Sequence, residues 1–252
     1  MPPRMMDVNQ AGTGVGNWWK GLPPITRWMA TSMLVLTVAG NFGWISPMYL
    51  VLFWKPILKK FEVWRLITNF MFLGRLSINF VVRMLWVIQY GVPLENQVFQ
   101  FEPSDYLFML LFNGALCLAA APFLGFVMNG VPLIMSMIYV YSRNFPDQVV
   151  KLYGMVAIQT FYLPFAFACI SVLLGQSIIP DLTGIAVGHV YYFLHDVYPR
   201  TAGRMPLKTP GLLRQWCADW GLRGAAPPPR ETQGAPQGFQ AFRGPGRRLG
   251  QD

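Results

Sequence analysis

Three stretches of this chain, 28–54, 106–142 and 152–180, contain no Lys, Arg, Asp or Glu. Each is longer than the roughly 20 residues an α-helix needs to cross about 30 Å of hydrocarbon at about 1.5 Å per residue. A soluble core hides one such run, but hardly three. Charged residues make up only 12% of the 252, about half the share usual in soluble domains. The chain therefore reads as an all-α, multi-pass membrane protein.

Prolines, glycines and charges divide the apolar sequence into six expected spans. Span one covers 25–45, between Pro23-Pro24 and Ser46-Pro47. Span two covers 77–94 although Arg83 lies inside it and Arg75 just before it. An arginine at mid-bilayer costs about 2.5–3.5 kcal/mol unless it snorkels or faces protein or water. Arg75 and Arg83 are accordingly the candidate lining of a hydrated cavity. Spans three (106–126) and four (131–141) share one uncharged run, broken at Asn129-Gly130-Val131-Pro132, where glycine and an X-Pro bond interrupt helix. Both are expected to be short. Span five covers 149–174 with a kink at Pro164, and span six covers 182–198. Between spans one and two, residues 55–65 interleave Lys55, Lys59, Lys60 and Arg65 with Ile57, Leu58, Phe61 and Trp64, which predicts an amphipathic helix lying in the membrane interface.

Six spans place both termini on one side. Arg4, Lys20 and Arg27 before the first span, and Arg200, Arg204, Lys208 and Arg214 after the last, assign that side to the cytosol. The basic 55–65 segment falls on the other side and runs against this rule. The organisation is then a cytosolic segment 1–24 without the apolar core of a signal peptide, a membrane domain 25–198, and a cytosolic tail 199–252. The tail is basic and rich in Gly and Pro, and from about residue 224 it has too little apolar surface to offset the entropy of ordering. Residues 212–222 suit a short amphipathic turn.

Few residues suggest chemistry. His189 and His195 are six apart, on different helix faces, with no Cys or carboxylate pattern beside them, so no metal or other cofactor is expected. The odd set Cys117, Cys169 and Cys217 does not form a disulfide framework, and Cys117 and Cys169 suit small buried hydrophobes. Gly184 and Gly188 share one helix face, a small-xxx-small surface for close helix packing. Trp64-Arg65 suits an interfacial anchor. At the carboxy end, Phe242 and Leu249 are two apolar anchors separated by Gly244, Gly246 and arginines, a pattern able to lie extended along a sheet edge.

The terminal Phe242-x-Gly244-x-Gly246-x-x-Leu249-Gly250 resembles the SHP box, through which cofactors bind the amino-terminal domain of the valosin-containing AAA+ ATPase. Trp64-Arg65 resembles the first-loop motif of the rhomboid superfamily. Gly184-Ile-Ala-Val-Gly188-His189-Val-Tyr-Tyr-Phe-Leu194 resembles the sixth span of the derlins, as do the stretches 105–113 and 132–139 their neighbouring spans. The resemblance implies a derlin: a rhomboid-like six-helix bundle in the endoplasmic reticulum membrane with a disordered cytosolic tail. It also implies a non-catalytic role in the retrotranslocation of misfolded proteins, beside a membrane ubiquitin ligase complex and as a possible homo- or hetero-oligomer. A rhomboid protease needs Gly-x-Ser-Gly at the start of span four and a histidine base in span six. Here span four opens on Asn129-Gly130-Val131-Pro132, Ser136 lies mid-span, and only His189 remains, so no catalytic residue is expected. A lone histidine beside a packing glycine suits a hydrogen-bonded core residue. A small-solute transporter is the rival of another class, but the spans lack acids for an ion relay, with Asp181 the nearest and at a helix end. Nucleic acid is not expected as a partner, because the basic tail has no aromatic-basic groove or folded module.

Overall fold

A computed structural model describes residues 11–152, 156–203 and 207–222. After α1 (Ala11–Lys20) comes α2 (Pro24–Asn41), with Pro24 at its first position, where a missing N–H costs nothing. The next segment is broken into α3 (Pro47–Leu50), α4 (Trp54–Lys60) and α5 (Arg65–Met71). Then follow α6 (Ile78–Pro93), a π-turn at Leu94–Val98, α7 (Pro103–Leu124) and α8 (Gly130–Asn144). Gly125, at φ 71°, closes α7 in the left-handed conformation that glycine adopts without strain.

The interior is organised around α8. Residues 132–142 are all buried, as expected of a helix that is apolar on every face. It packs against α5, α6, α7, α9 (Leu163–Leu173) and α10 (Ile179–Tyr192). The chain then runs through a second π-turn, Phe193–Val197, into α11 (Tyr198–Ala202) and α12 (Gly211–Asp219). On one side of the core, Trp86 of α6 stacks on Phe167 of α9 at 4.1 Å between ring centres, and Tyr90 adds an edge contact to Phe167 and a tilted one to Tyr141.

Several expectations are corrected. Residues 149–174 do not form one kinked helix. They begin as a two-stranded antiparallel hairpin, β1 (Val149–Leu152) with β2 (Val156–Gln159), in which Val149 is opposite Gln159. A 3-10 turn follows, and α9 begins only at Leu163. The β-branched residues Val149, Val150, Val156 and Ile158 favour the extended ladder. Pro164 sits in the first turn of α9, where it starts the helix instead of bending it. Among the described residues this hairpin is the one departure from helices and their connecting turns.

Span three is not short. The helix reaches back to Pro103 and runs 22 residues, and among the described helices it alone is long and apolar enough to cross a membrane by length and composition. Only α8, at 15 residues, is short as expected. Segment 55–65 is not one amphipathic helix, because Phe61 takes a left-handed conformation, φ 54°, and ends α4. Cys117 is buried as expected, but Cys169 is exposed, on a helix too peripheral to enclose both of its faces.

Candidate functional site

Gly184 and Gly188 bring α10 into close contact with α8. A Cβ built on Gly184 would lie 2.4 Å from the Pro132 carbonyl oxygen and 2.6 Å from Met135 Cβ. One on Gly188 would lie 2.8 Å from both Ser136 O and Tyr139 Cβ. Only hydrogen fits at either position, so α10 lies directly on the backbone of α8. This contact brings His189 to Tyr139, with Nδ1 2.7 Å from the phenolic oxygen and the rings edge-to-face at 84°. His189 is not the core residue expected from its neighbours, since its ring lies on the exposed side of α10. Ser136 is fully buried and donates its hydroxyl to Leu133 O of its own helix at 2.8 Å, as serines within helices do. The serine and the histidine are each committed elsewhere, and no nucleophile–base pair forms between them.

Trp64 and Arg65 diverge. The indole is half exposed, whereas Arg65 is only 4% exposed. Arg65 Nε donates to Glu62 at 2.6 Å, and Nη1 donates to the carbonyls of Met48 and Val51. The guanidinium thereby ties α3 to α5, a task suited to its rigid fork of donors. Thr68 Oγ1 adds a bond to Leu50 O at 3.1 Å. Arg65 is thus a loop clamp within the protein, while Trp64 keeps an exposed apolar face.

Arg75 and Arg83 are not brought together. Arg75 is exposed in the turn before α6. Arg83 is half-buried on α6 and has no hydrogen bond or ion pair among the described residues. Its electrostatic partner is Asp181 on α10, a residue 1% exposed whose Oδ1 has no hydrogen-bond partner. Sequence reasoning had noted Asp181 only as an acid at a helix end. The pairing crosses two helices nearly a hundred positions apart, and nothing in local spacing signals it.

Glu95 was missed as well. Its carboxylate, from the π-turn after α6, accepts the Ile25 N–H at 2.9 Å and the Thr26 N–H and hydroxyl, each at 2.7 Å. These backbone donors belong to the first turn of α2, which lacks a side-chain cap of its own, so Glu95 supplies both the missing acceptors and a charge matched to the helix dipole. Burial pushes the carboxyl upward, against the hydrogen bonds that pull it down. One signal was available, since Glu95 is the only acid between residues 63 and 101, in otherwise apolar sequence.

A groove of about 510 Å³ runs between α2, α5 and α7, lined by Trp28, Met29, Phe70, Leu111, Leu118 and, from the segment after α12, Trp220. Segment α12 is held by Thr209 to Asp105 at 2.5 Å and Arg214 to Glu102 at 2.8 Å. Cys217 of α12 is buried, and burial raises its thiol above the usual value. Among the described residues no three His, Cys, Asp or Glu side chains group to hold a metal. Phe242, Gly244, Gly246 and Leu249 lie outside the described residues.

Residues 22–211 match the model of the Der1-like family. The chain belongs to the Der1-like family. It is 39% identical over 236 residues to Derlin-1 of Oryza sativa subsp. japonica, covering 93% of this chain and 98% of that one. It is 41% identical over 207 residues to Derlin-1 of Arabidopsis thaliana, covering 81% and 78%, and 36% identical over 238 residues to Derlin-1.2 of Zea mays, covering 93% and 98%. The Der1-like region thus includes every helix from α2 to α11, the Arg65 clamp, the Glu95 cap and the α8–α10 contact. As a membrane protein, this Der1-like chain accounts for its exposed large apolar side chains, such as Phe123 at 88% and Leu173 at 84%, which lipid covers where water would penalise them.

Proposed function

We propose that this chain is a non-catalytic component of endoplasmic-reticulum-associated degradation. In this reading α2, α6, α7, α8, α9 and α10 are six spans of a rhomboid-like domain in the endoplasmic reticulum membrane, with both termini cytosolic. The domain engages misfolded proteins and assists their movement to the cytosol. The tail recruits the valosin-containing AAA+ ATPase through Phe242, Gly244, Gly246 and Leu249, and a membrane ubiquitin ligase complex works beside it.

The observation that carries this reading is the Der1-like match over 22–211. The geometry is in keeping with it. Ser136 and His189 are separately committed, which suits a pseudoprotease. At 15 and 11 residues, α8 and α9 are shorter than the roughly 20 that span about 30 Å. Short spans favour local thinning of the bilayer, which lowers the barrier to polar polypeptide.

The test is binding of a labelled peptide covering 236–252 to the amino-terminal domain of the ATPase, with a Phe242→Ala/Leu249→Ala peptide as control and ionic strength varied, because arginines alone attract weakly. Micromolar binding lost in the control supports recruitment. Equal binding by both peptides removes it. In cells, depletion of the chain should lengthen the half-life of a misfolded membrane reporter, and re-expression of His189→Ala should restore degradation, since no proteolysis is involved.

A further inference from the structure

Helices α6 and α9 meet through aromatic contacts, with Trp86 stacked on Phe167 and Tyr90 edge-on to it. One turn along each helix from that stack, towards the end where α6 begins and α9 finishes, lie Arg83 and Ser171. The first turn of α10 brings Asp181 to the same place, where Ser171 and Arg83 both act on its carboxylate. These groups make an unusual set. Asp181 is almost wholly buried with one oxygen unpartnered, and Arg83 has no hydrogen bond or ion pair among the described residues. An arginine and an aspartate are thus placed on neighbouring helices without a bond between them.

A buried acceptor left open near a half-buried donor that makes no bond suits a group that satisfies both together. A cation would pair with Asp181 but be repelled by Arg83, and an anion the reverse. A peptide amide carries an N–H and a C=O on opposite sides of one plane. Polypeptide that enters a bilayer without helical hydrogen bonds presents that pair of unmet groups at every residue.

We propose that Arg83, Ser171 and Asp181 form a polar notch that binds the unpaired backbone amide of a non-helical polypeptide segment. The substrate N–H donates to Asp181 Oδ1, and its carbonyl accepts from the Arg83 guanidinium. The stacked rings of Trp86 and Phe167 lie one turn away along α6 and α9. This rests on the reading that the chain engages misfolded proteins, and it specifies what is recognised: missing secondary structure, independent of side-chain sequence.

The experiment uses the full chain in nanodiscs with a benzophenone amino acid in place of Leu174, an exposed residue about one turn beyond Ser171. The probes are two biotinylated peptides of transmembrane length. One has a central segment of Gly and Pro that stays non-helical and offers its N–H groups at the glycines, and the other is the same peptide with those glycine nitrogens methylated. Photocrosslinking to the first is expected, falling about tenfold for the methylated peptide and about tenfold for Arg83→Leu or Asp181→Leu. Arg83→Lys and Asp181→Glu should retain most of it. Should the leucine variants fail to insert, the comparison of the two peptides on the otherwise unaltered chain decides by itself. Equal capture of both peptides, or undiminished capture by inserted leucine variants, shows a notch filled only by water and overturns the proposal while leaving the functional reading in place. Capture of neither peptide overturns both.

Discussion

Replacing Glu95 by alanine leaves α2 without its cap. The Ile25 and Thr26 amides and the Thr26 hydroxyl all point at this one carboxylate, at 2.7–2.9 Å. Glu95 is 4% exposed and Thr26 is fully buried, so water cannot take over at either. A buried donor deprived of its partner costs about 1–3 kcal/mol, and the lost interaction with the helix dipole adds up to about 2 kcal/mol in a partly buried site. The expected loss for Glu95→Ala is therefore on the order of 4 kcal/mol, or roughly 10 °C in melting temperature for a chain of this size. Glu95→Gln fills the same volume but has one acceptor oxygen instead of two. Its amide nitrogen must face either the Ile25 N–H or the Thr26 pair, so about half the loss should remain. The assay is a melt of the purified chain in detergent, followed by intrinsic tryptophan fluorescence. Melting temperatures for both variants indistinguishable from the parent would refute the cap. So would a glutamine variant as damaged as the alanine one, which would point to the charge alone.

Further outcomes follow from the same contacts. Gly184→Ala should cost about 1–3 kcal/mol by overpacking and lower the melting temperature, because its methyl meets the Pro132 carbonyl and Met135. Gly43→Ala meets no neighbouring atom and carries only the strain of φ 79°, so its smaller effect separates packing from backbone conformation. Arg65→Lys keeps the charge but cannot hold Glu62, Met48 and Val51 together, and amide hydrogen exchange over 48–66 should accelerate while the core helices stay protected. Cys217 carries a pH signature. Burial raises its thiol above the ordinary 9.0, so its contribution to docking α12 is complete below that value and is lost as pH rises through the higher folded-state value. Iodoacetamide labelling of Cys217 at neutral pH should be slow, and should accelerate in Thr209→Val, which removes the bond to Asp105. Fast labelling in the parent chain would place α12 off the domain.

What can be read along the chain is the set of features that depend on neighbours a few residues apart. Uncharged runs and the proline at 24 identify where helices begin and end, because hydrophobic length and backbone freedom are local properties, whereas the proline at 164, expected to kink a span, starts a helix. The spacing of Gly184 and Gly188 likewise marks a face for close approach, and Glu62 beside Arg65 is an ordinary i,i+3 pair. Local reading failed where two local preferences competed. At 149–159 the apolar run favoured a span while its β-branched residues favoured a ladder, and pairing across the hairpin decided the outcome. At Phe61 the amphipathic pattern continued but the backbone did not.

The rest only the tertiary structure decided. Glu95 finds α2 across some seventy positions, Arg83 meets Asp181 across nearly a hundred, and Arg65 turns inward to carbonyls instead of outward to headgroups. In an apolar interior each charged group must be matched by whatever donor or acceptor the packing brings near it. That match depends on the angle and depth at which helices settle on α8, which no stretch of sequence specifies alone. Sequence determined that this chain has a helical membrane domain with no serine protease motif; the packing around α8 determined which of its few charges hold it together and which remain open.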